Sequence, residues 1–574
     1  MSQMALEPRS LRMGRHLFAP VVLLAATCLA LTLPLTVKTT LPVGPFYWDL
    51  YIYFDAANRI LDGQVPGVDF FTPVGALGYY LFSLFVRIFP EGQPLLVVQW
   101  SLLLVTAPLF ALVLADVDRR SRFVALSLLF PFLVFSILPF NVEEYYSYPG
   151  VDGFGIYNRQ VGLLLYVLTA GLVFAKSRRT LLVLVAGCML ALLFTKITGV
   201  IAGAMLCCLA VAAGRLAVRT AIAAACAFIL ILAGLELRLG IVSAYAADIL
   251  LLLEKNEESL LPRFLQAASL HFGVFAPLGA LTVVLLALNG EALIGHARPF
   301  ARRPALSLVP AVFDHDALWL GVSVMAALFV ETQNTGGLAF IFVWPVLLQL
   351  LTRCGRWSGR SLGIVLTLVA ASALPTLVGV VHRAARAFVG QLNYSVVKVD
   401  GLGSLAAVSQ REAILAHAAS MLDVYRKFPD TWQYLADRNE LPNFTLYTAP
   451  DFQITWLMAA EEAVEAIKAY ERDNGVRFGT IMSLNFVNPF PWLLDRHAPR
   501  RIAIGADPYR AVPDPGEAVL RSVGSTDLVL YPKCPITNAN MALRTLYAPG
   551  LTGHRLISLS PCWDAYVKVP SAPE

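Results

Sequence analysis

The chain has 574 residues, of which 57% are hydrophobic and only 14% charged, and its mean hydropathy is +0.66. A soluble globular protein carries far less apolar composition than this, so most of the chain belongs in a bilayer. The net charge of +5 is explained by position. Arg and Lys gather in short clusters between apolar runs, as orientation of membrane spans requires, and no separate basic patch is left for a nucleic acid.

Arg9, Arg12 and Arg15 precede an apolar segment over about residues 17–36, close to the ~20 residues that cross a bilayer core. No Ala-x-Ala-like cleavage site follows it, so it reads as an uncleaved first span with the N-terminus cytoplasmic rather than as a signal peptide. Residues 37–94 are poor in Lys and Arg for their length and form the first outward loop. Near its start lies the run Phe46-Tyr47-Trp48-Asp49-Leu50-Tyr51, with an acid at the mouth of the first span. From Asp49 to Gly63 the spacing predicts an amphipathic helix in the membrane interface. At 100° per residue Leu50, Phe54, Ala57 and Leu61 share one side, and Asp55, Asn58, Arg59 and Asp62 share the other. Asp49 is then either a general base at a lipid surface or the cap of that helix. A second element begins at Asp69-Phe70-Phe71-Thr72-Pro73-Val74-Gly75, passes Tyr79-Tyr80 and runs to Pro90. Were it a crossing, the next basic cluster would fall on the wrong side, so it is read as juxtamembrane or re-entrant.

The clusters Arg119-Arg120-Arg122, Lys176-Arg178-Arg179, Arg215-Arg219, Arg298-Arg302-Arg303 and Arg353-Arg356-Arg360 mark cytoplasmic loops. Segments 141–158, 240–267 and 331–336 mark outward ones. Residues 180–214 are bounded by basic clusters at both ends, which requires an even number of crossings and so a hairpin turning near Lys196. Spans near 17–36, 95–115, 122–140, 160–175, 180–195, 197–214, 220–238, 268–288, 317–330, 337–352 and 361–381 make eleven. An odd count places the remainder of the chain outside.

After about Arg383 the composition changes. Helical periodicity marks 409–426 and 456–472, the latter with Glu461, Glu462, Glu465, Lys468 and Glu471 on a solvated face. Short apolar runs at 479–484, 501–504, 527–531, 555–559 and 566–569 read as strands, and strands alternating with helices indicate an α/β domain. It has no glycine-rich phosphate loop, metal-spacing cluster or nucleophile elbow, so docking or binding suits it better than catalysis. Six cysteines lie in spans or at a cytoplasmic edge. Cys534 and Cys562 lie in the tail, where an oxidising compartment would pair them. The fold class is therefore an α-helical polytopic membrane protein of about eleven transmembrane helices over residues 1–383, with juxtamembrane helices in 49–90 and an extracytoplasmic soluble α/β domain over 384–574.

A first span, an aromatic-flanked Asp, an amphipathic helix ending in Gly, and an aromatic-Pro-x-Gly element with paired tyrosines resemble the C-type (GT-C) glycosyltransferases that take sugars from polyprenyl phosphates, such as protein O-mannosyltransferases and the aminoarabinose transferase. The resemblance is best over residues 17–200. It implies Asp49 as catalytic base and matches Asp55 to a second acid. It also departs from that pattern, because the aminoarabinose-type enzymes carry Glu-Lys before the Pro where this chain has Phe71-Thr72-Pro73, which implies a different donor.

Such chemistry needs a base for the acceptor hydroxyl, cations for the departing phosphate and an apolar groove for the lipid. Direct attack at the anomeric carbon with one carboxylate base inverts configuration. Arg59, Arg159 and Lys196 are the phosphate candidates, two of them set against a bland reading: an exposed i, i+4 pair with Asp55 for Arg59, and snorkelling for Lys196. Asp69, Glu143, Glu144 and Asp152 are secondary acids, and the three of the second loop, Glu143, Glu144 and Asp152, could order a sugar or, with Asp49, hold a Mg or Mn ion. Tyr79, Tyr157, Asn158, Gln333 and Asn334 are assigned to the donor pocket. The expected partners are a polyprenyl-phosphate-linked sugar, a glycan, lipid or protein acceptor, and the bilayer of a bacterial inner membrane. A transporter or flippase of lipid-linked sugars would bury ionisable residues mid-span, whereas these acids gather at one end. A non-catalytic glycan-assembly factor would act through the tail.

Overall fold

A computed structural model describes residues 19–143, 149–255, 260–302, 305–332, 336, 338–441 and 450–569. Glu144, Gln333 and Asn334 lie outside the described residues, as do Arg9, Arg12 and Arg15. Helix α1 (Pro20–Leu35) leads through strand β1 (Leu41–Pro42) to a 3-10 turn at Tyr47–Asp49, which continues into α2 (Leu50–Leu61) and α3 (Leu77–Ile88). There follow α4 (Pro94–Asp118), α5 (Arg122–Ile137), α6 (Ile156–Phe174), α7 (Arg178–Leu193), α8 (Ile197–Ala212), α9 (Val218–Leu239), α10 (Ile241–Lys255) and α11 (Leu260–Leu270). The apolar series closes with α12 (Phe272–Arg302), α13 (Asp316–Glu331), α14 (Trp344–Thr352) and α15 (Gly359–Gln391).

Among the described residues, α4, α6, α9, α12 and α15 are long and apolar enough to cross a membrane, and α1, α3, α5 and α8 are shorter apolar helices. Caps set the boundaries locally. Ser121 and Ser177 each accept an N–H of the first turn of α5 and α7, and Gly240, at φ 66°, ends α9 in the left-handed conformation that glycine adopts at no steric cost. On α9, Leu230 and Leu237 are 71% and 90% exposed, the surface a lipid-facing helix presents. By contrast α6 is buried on almost every side and forms the axis of the core.

Two expectations change here. Residues 240–267, read as loop, hold α10 and most of α11. Their scarcity of Lys and Arg was legible, but not the packing of α10 against the second element of the first loop. The 383/384 boundary falls inside α15, which runs unbroken from Gly359 to Gln391.

Beyond α15, strands β2 (Ser395–Val396) and β3 (Val408–Gln410) join β1 in a small sheet of order β1-β3-β2, so the first loop pairs directly with residues some 370 positions later. Helices α16 (Glu412–Lys427), α17 (Pro429–Asp437), α18 (Pro450–Asn474), α19 (Glu517–Ser525) and α20 (Asn538–Tyr547) surround a second sheet. Its strands are β4 (Ile481–Ser483), β5 (Leu528–Pro532), β6 (His554–Ser560) and β7 (Trp563–Lys568), in the order β4-β5-β7-β6, with β4 and β5 parallel and the rest antiparallel. Cys534 and Cys562 form a disulfide beside β5 and β7.

Residues 501–504 are not a strand. They dock on the first loop instead, where the Arg501 N–H donates to the Asp69 carbonyl at 2.5 Å and the Ile504 N–H to the Phe71 carbonyl at 3.2 Å. The acidic face of α18 is also not uniformly solvated. Glu462 accepts from the Ser560 hydroxyl at 2.6 Å and the Cys562 N–H at 2.9 Å, and Glu471 pairs with Arg496 at 3.1 Å.

Candidate active site

Asp49 closes the 3-10 turn that opens α2 and occupies the N-cap position of that helix, yet its side chain makes no capping hydrogen bond. The cap reading therefore fails. The residue is half-buried, and its carboxylate accepts no hydrogen bond from any described residue. Burial pushes the group up to about 8, against the opposing pull of the nearby Arg159 charge. A carboxyl so tuned is a stronger proton acceptor than an ordinary carboxylate once it is ionised, which happens as pH approaches that value.

Around it stand Tyr53, one helical turn further along α2, and Tyr79 on α3. Their rings lie 5.2 Å apart, and both hydroxyls feel the Asp49 charge. Tyr157 couples to both tyrosines, and the Lys196 ammonium lies 4.9 Å over the Tyr157 ring. Lys196 donates to Asn158 Oδ1 at 3.0 Å. Burial pulls its pKa down to about 7, while the Glu331 charge works the other way. Glu331 in turn lies 3.4 Å from His271 Nε2. The structure thus brings Asp49, Tyr79, Tyr157, Asn158, Arg159 and Lys196 into one cluster at one end of the apolar helices.

Lys196 reaches this cluster because the α7–α8 turn packs on the second element of the first loop. The Gly75 N–H donates to the Thr195 carbonyl at 3.1 Å and the Leu77 N–H to the Phe194 carbonyl at 2.7 Å. A Cβ on Gly75 would sit 2.3 Å from the Phe194 carbonyl carbon, so only glycine permits this approach. Gly75→Val is expected to destabilise the protein by about 2–3 kcal/mol through overpacking and to displace Lys196. A melting temperature within 2 °C of the native protein would disprove that contact.

Several candidates have other work. Arg59 is fully buried. Its Nε donates to Asp55 Oδ1 at 2.7 Å and its Nη1 to the Pro499 carbonyl at 2.6 Å. The Asp55–Arg59 pair, read as exposed, is therefore an internal clamp between α2 and the tail, and Arg59 is not available to a phosphate. The polar side of α2 does not face the membrane interface, because residues 496–499 cover it: Asn58 donates to the Arg496 carbonyl and Gln64 to the Ala498 carbonyl. Asp69 is likewise occupied, accepting from Arg500 at 2.6 Å and from the Val65 N–H at 2.8 Å.

Asp152, completely buried, pairs with Arg383 at 3.0 Å and accepts the Asn141 N–H at 2.7 Å, which ties the second loop to α15. Arg159, 1% exposed, donates to Gln99, Asn141 and the carbonyls of Phe154 and Asp152. With its guanidinium so engaged, it acts on Asp49 through its charge. Glu143 joins the same network through its carbonyl, which accepts from Arg383 at 2.6 Å. Among the described residues no group of three His, Cys, Asp or Glu side chains stands ready for a metal ion.

Sequence reasoning missed Tyr53, although its position four residues after Asp49 places both on one helical face. It also missed Asp248 on α10, which accepts from the Thr72 N–H at 3.4 Å and is pushed up by burial to about 7. At the departure from the expected Glu-Lys, Phe71 and Thr72 are both buried, Phe71 in the same apolar cluster as Ile502 and Ala503 of the tail.

No family model matches the chain, and no curated protein matches it. Among solved structures it is similar to ArnT from Cupriavidus metallidurans in the apo state, at 13% identity over 96% of this chain and 99% of that one, with a TM-score of 0.40. The same protein bound to undecaprenyl phosphate gives 14% identity over the same shares and a TM-score of 0.38. The archaeal oligosaccharyltransferase AglB from Archaeoglobus fulgidus, in complex with an inhibitory peptide and a dolichol-phosphate, gives 10% identity over 96% of this chain and 74% of its own, with a TM-score of 0.26. Both are of the C-type class that the sequence resembles. At these scores neither likeness transfers a residue's role to this chain.

Proposed function

We propose that this chain is an inverting glycosyltransferase of a bacterial inner membrane, moving a sugar from a polyprenyl-phosphate donor to a glycan, glycolipid or protein hydroxyl on the extracytoplasmic side. The observation that carries it is the Asp49 carboxylate: uncommitted to a cap or ion pair among the described residues, tuned to about 8, and grouped with Tyr53, Tyr79, Tyr157 and Lys196 at one end of the apolar helices. The acceptor oxygen attacks the anomeric carbon, its proton passes to Asp49, and the bond between that carbon and the phosphate oxygen breaks, releasing polyprenyl phosphate. Lys196 meets the charge that develops on the leaving phosphate. A phosphate beside Lys196 restores its protonation, because an adjacent anion favours the ammonium that burial disfavours. Eleven crossings, with the residues that follow α15 outside, complete the proposed topology.

The test compares envelope glycolipids and glycans, by mass spectrometry, from a deletion strain complemented with the native gene or with Asp49→Asn. A single product missing from the deletion strain and from the Asn complement, but present with the native gene, supports transfer. Normal product with Asp49→Asn would favour a flippase or an assembly factor. For Lys196→Gln, loss of a charged hydrogen bond to phosphate is expected to raise the KM for the lipid donor roughly 10- to 100-fold. An unchanged KM would remove Lys196 from the donor site.

A further inference from the structure

The turn that carries Asp49 begins without a local cap. Phe46, in the N-cap position, has φ 54° and ψ 30°, a left-handed conformation that a bulky L-residue adopts only under external constraint, and it offers no side-chain acceptor. The constraint comes from two distant parts of the chain. From the second loop, the Gly153 N–H donates to the Pro45 carbonyl at 3.0 Å, and a Cβ on Gly153 would sit 2.1 Å from the Phe46 carbonyl oxygen. From α18 in the tail, the side chain of Gln453, 1% exposed, accepts the Trp48 N–H at 3.0 Å. The Trp48 ring is held on the same side, edge-on to Phe452 at 5.5 Å and tilted against Phe486 at 5.0 Å.

Helix starts leave backbone N–H groups without intrahelical partners, and ordinarily a neighbouring Ser, Thr, Asp or Asn satisfies one of them. Here that acceptor is supplied from 405 residues away. We propose that Gln453 is a positioning residue for the transfer reaction: by capping the turn at Trp48 it holds the strained Phe46 backbone in place and fixes the direction of the Asp49 carboxylate. This rests on the reading of Asp49 as the base. Removing the acceptor leaves a buried N–H unsatisfied while Phe46 can relax, and the adjoining carboxylate shifts with the turn. Displacements of about 1 Å at a reacting group cost on the order of 100-fold in rate.

The test uses the full-length protein in detergent and in the deletion strain. Gln453→Leu is expected to lower transfer about 100-fold while binding of undecaprenyl phosphate, used as the probe of the lipid site, stays within about two-fold. Gln453→Glu keeps an acceptor oxygen for the Trp48 N–H and is expected to transfer at least about ten-fold faster than the Leu variant. Less than a ten-fold loss in the Leu variant, or a Glu variant no better than Leu, overturns the proposal. Should the Leu variant fail to accumulate, the Glu variant decides alone: transfer within ten-fold of native supports the cap, and a larger loss with a native melting temperature overturns it. Asp49→Asn in parallel separates the two readings. If that variant transfers normally, the base assignment falls. If it is inactive while Gln453→Leu is active, only the positioning role falls.

Discussion

Replacing Asp49 by Asn is expected to lower the proposed sugar transfer by a factor of roughly 10²–10⁴, the range a positioned base contributes. The amide keeps the size of the carboxyl and disturbs little else, because among the described residues the native side chain neither caps α2 nor pairs with a cation through a hydrogen bond. Undecaprenyl phosphate binding should therefore stay at its native value, and the melting temperature should not fall below the native one, while turnover falls. The pH profile follows from the same group. Asp49 works as a base only when ionised, and burial holds its pKa up at about 8, so turnover should rise with pH and level off above that value. The linkage to stability has the opposite sense. A carboxyl whose pKa is raised in the folded protein contributes stability at low pH, and that contribution is lost as pH rises toward 8. Asp49→Asn should remove both trends. Turnover that is flat between pH 6 and 9 in the native enzyme would count against Asp49 as the base.

The second large effect is structural. Arg59→Ala is expected to destabilise the protein by about 3–5 kcal/mol, because it leaves Asp55 buried without its partner. Asp55 is 2% exposed, and burial already pushes its pKa up despite the Arg59 charge. The change also removes the donor to the Pro499 carbonyl, and with it one of the ties between α2 and the tail. A double replacement, Asp55→Leu with Arg59→Met, should recover much of the loss, since well-packed apolar residues can substitute for a buried pair. Thermal denaturation of the single and double variants checks this. If Arg59→Ala melted normally and only raised the donor KM, Arg59 would be a phosphate ligand after all.

The helical part of the fold was legible because a bilayer imposes a simple code: uninterrupted apolar residues between Arg clusters. Helix α2 was legible from its period, and Gly63 from its place just past the last periodic residue. The environment of its polar face was not. Asp55, Asn58 and Arg59 have the pattern of a solvated stripe, and nothing local reveals that residues 496–499 cover them. The same distance hid Gln453. Residues 501–504 misled for a related reason, since a short apolar run that docks on a loop is indistinguishable from a strand until its hydrogen-bond partners are known. At the site, Asp49 and Lys196 stood out because charge near lipid is costly without a purpose. Asp152 and Arg159 stood out as charges in and at the end of the second outward loop, yet their contacts anchor that loop.

The grip of residues 496–499 on α2 also dictates an order of events at the ribosome. Asn58 bonds a carbonyl 438 positions later, so at roughly 5–20 residues per second the nascent segment waits on the order of 20 to 90 s for its counterpart. Every greasy helix through α15 has been made before then. Insertion thus precedes completion, and a stop codon between α15 and residue 496 is expected to leave an inserted protein whose α2 never meets its cover.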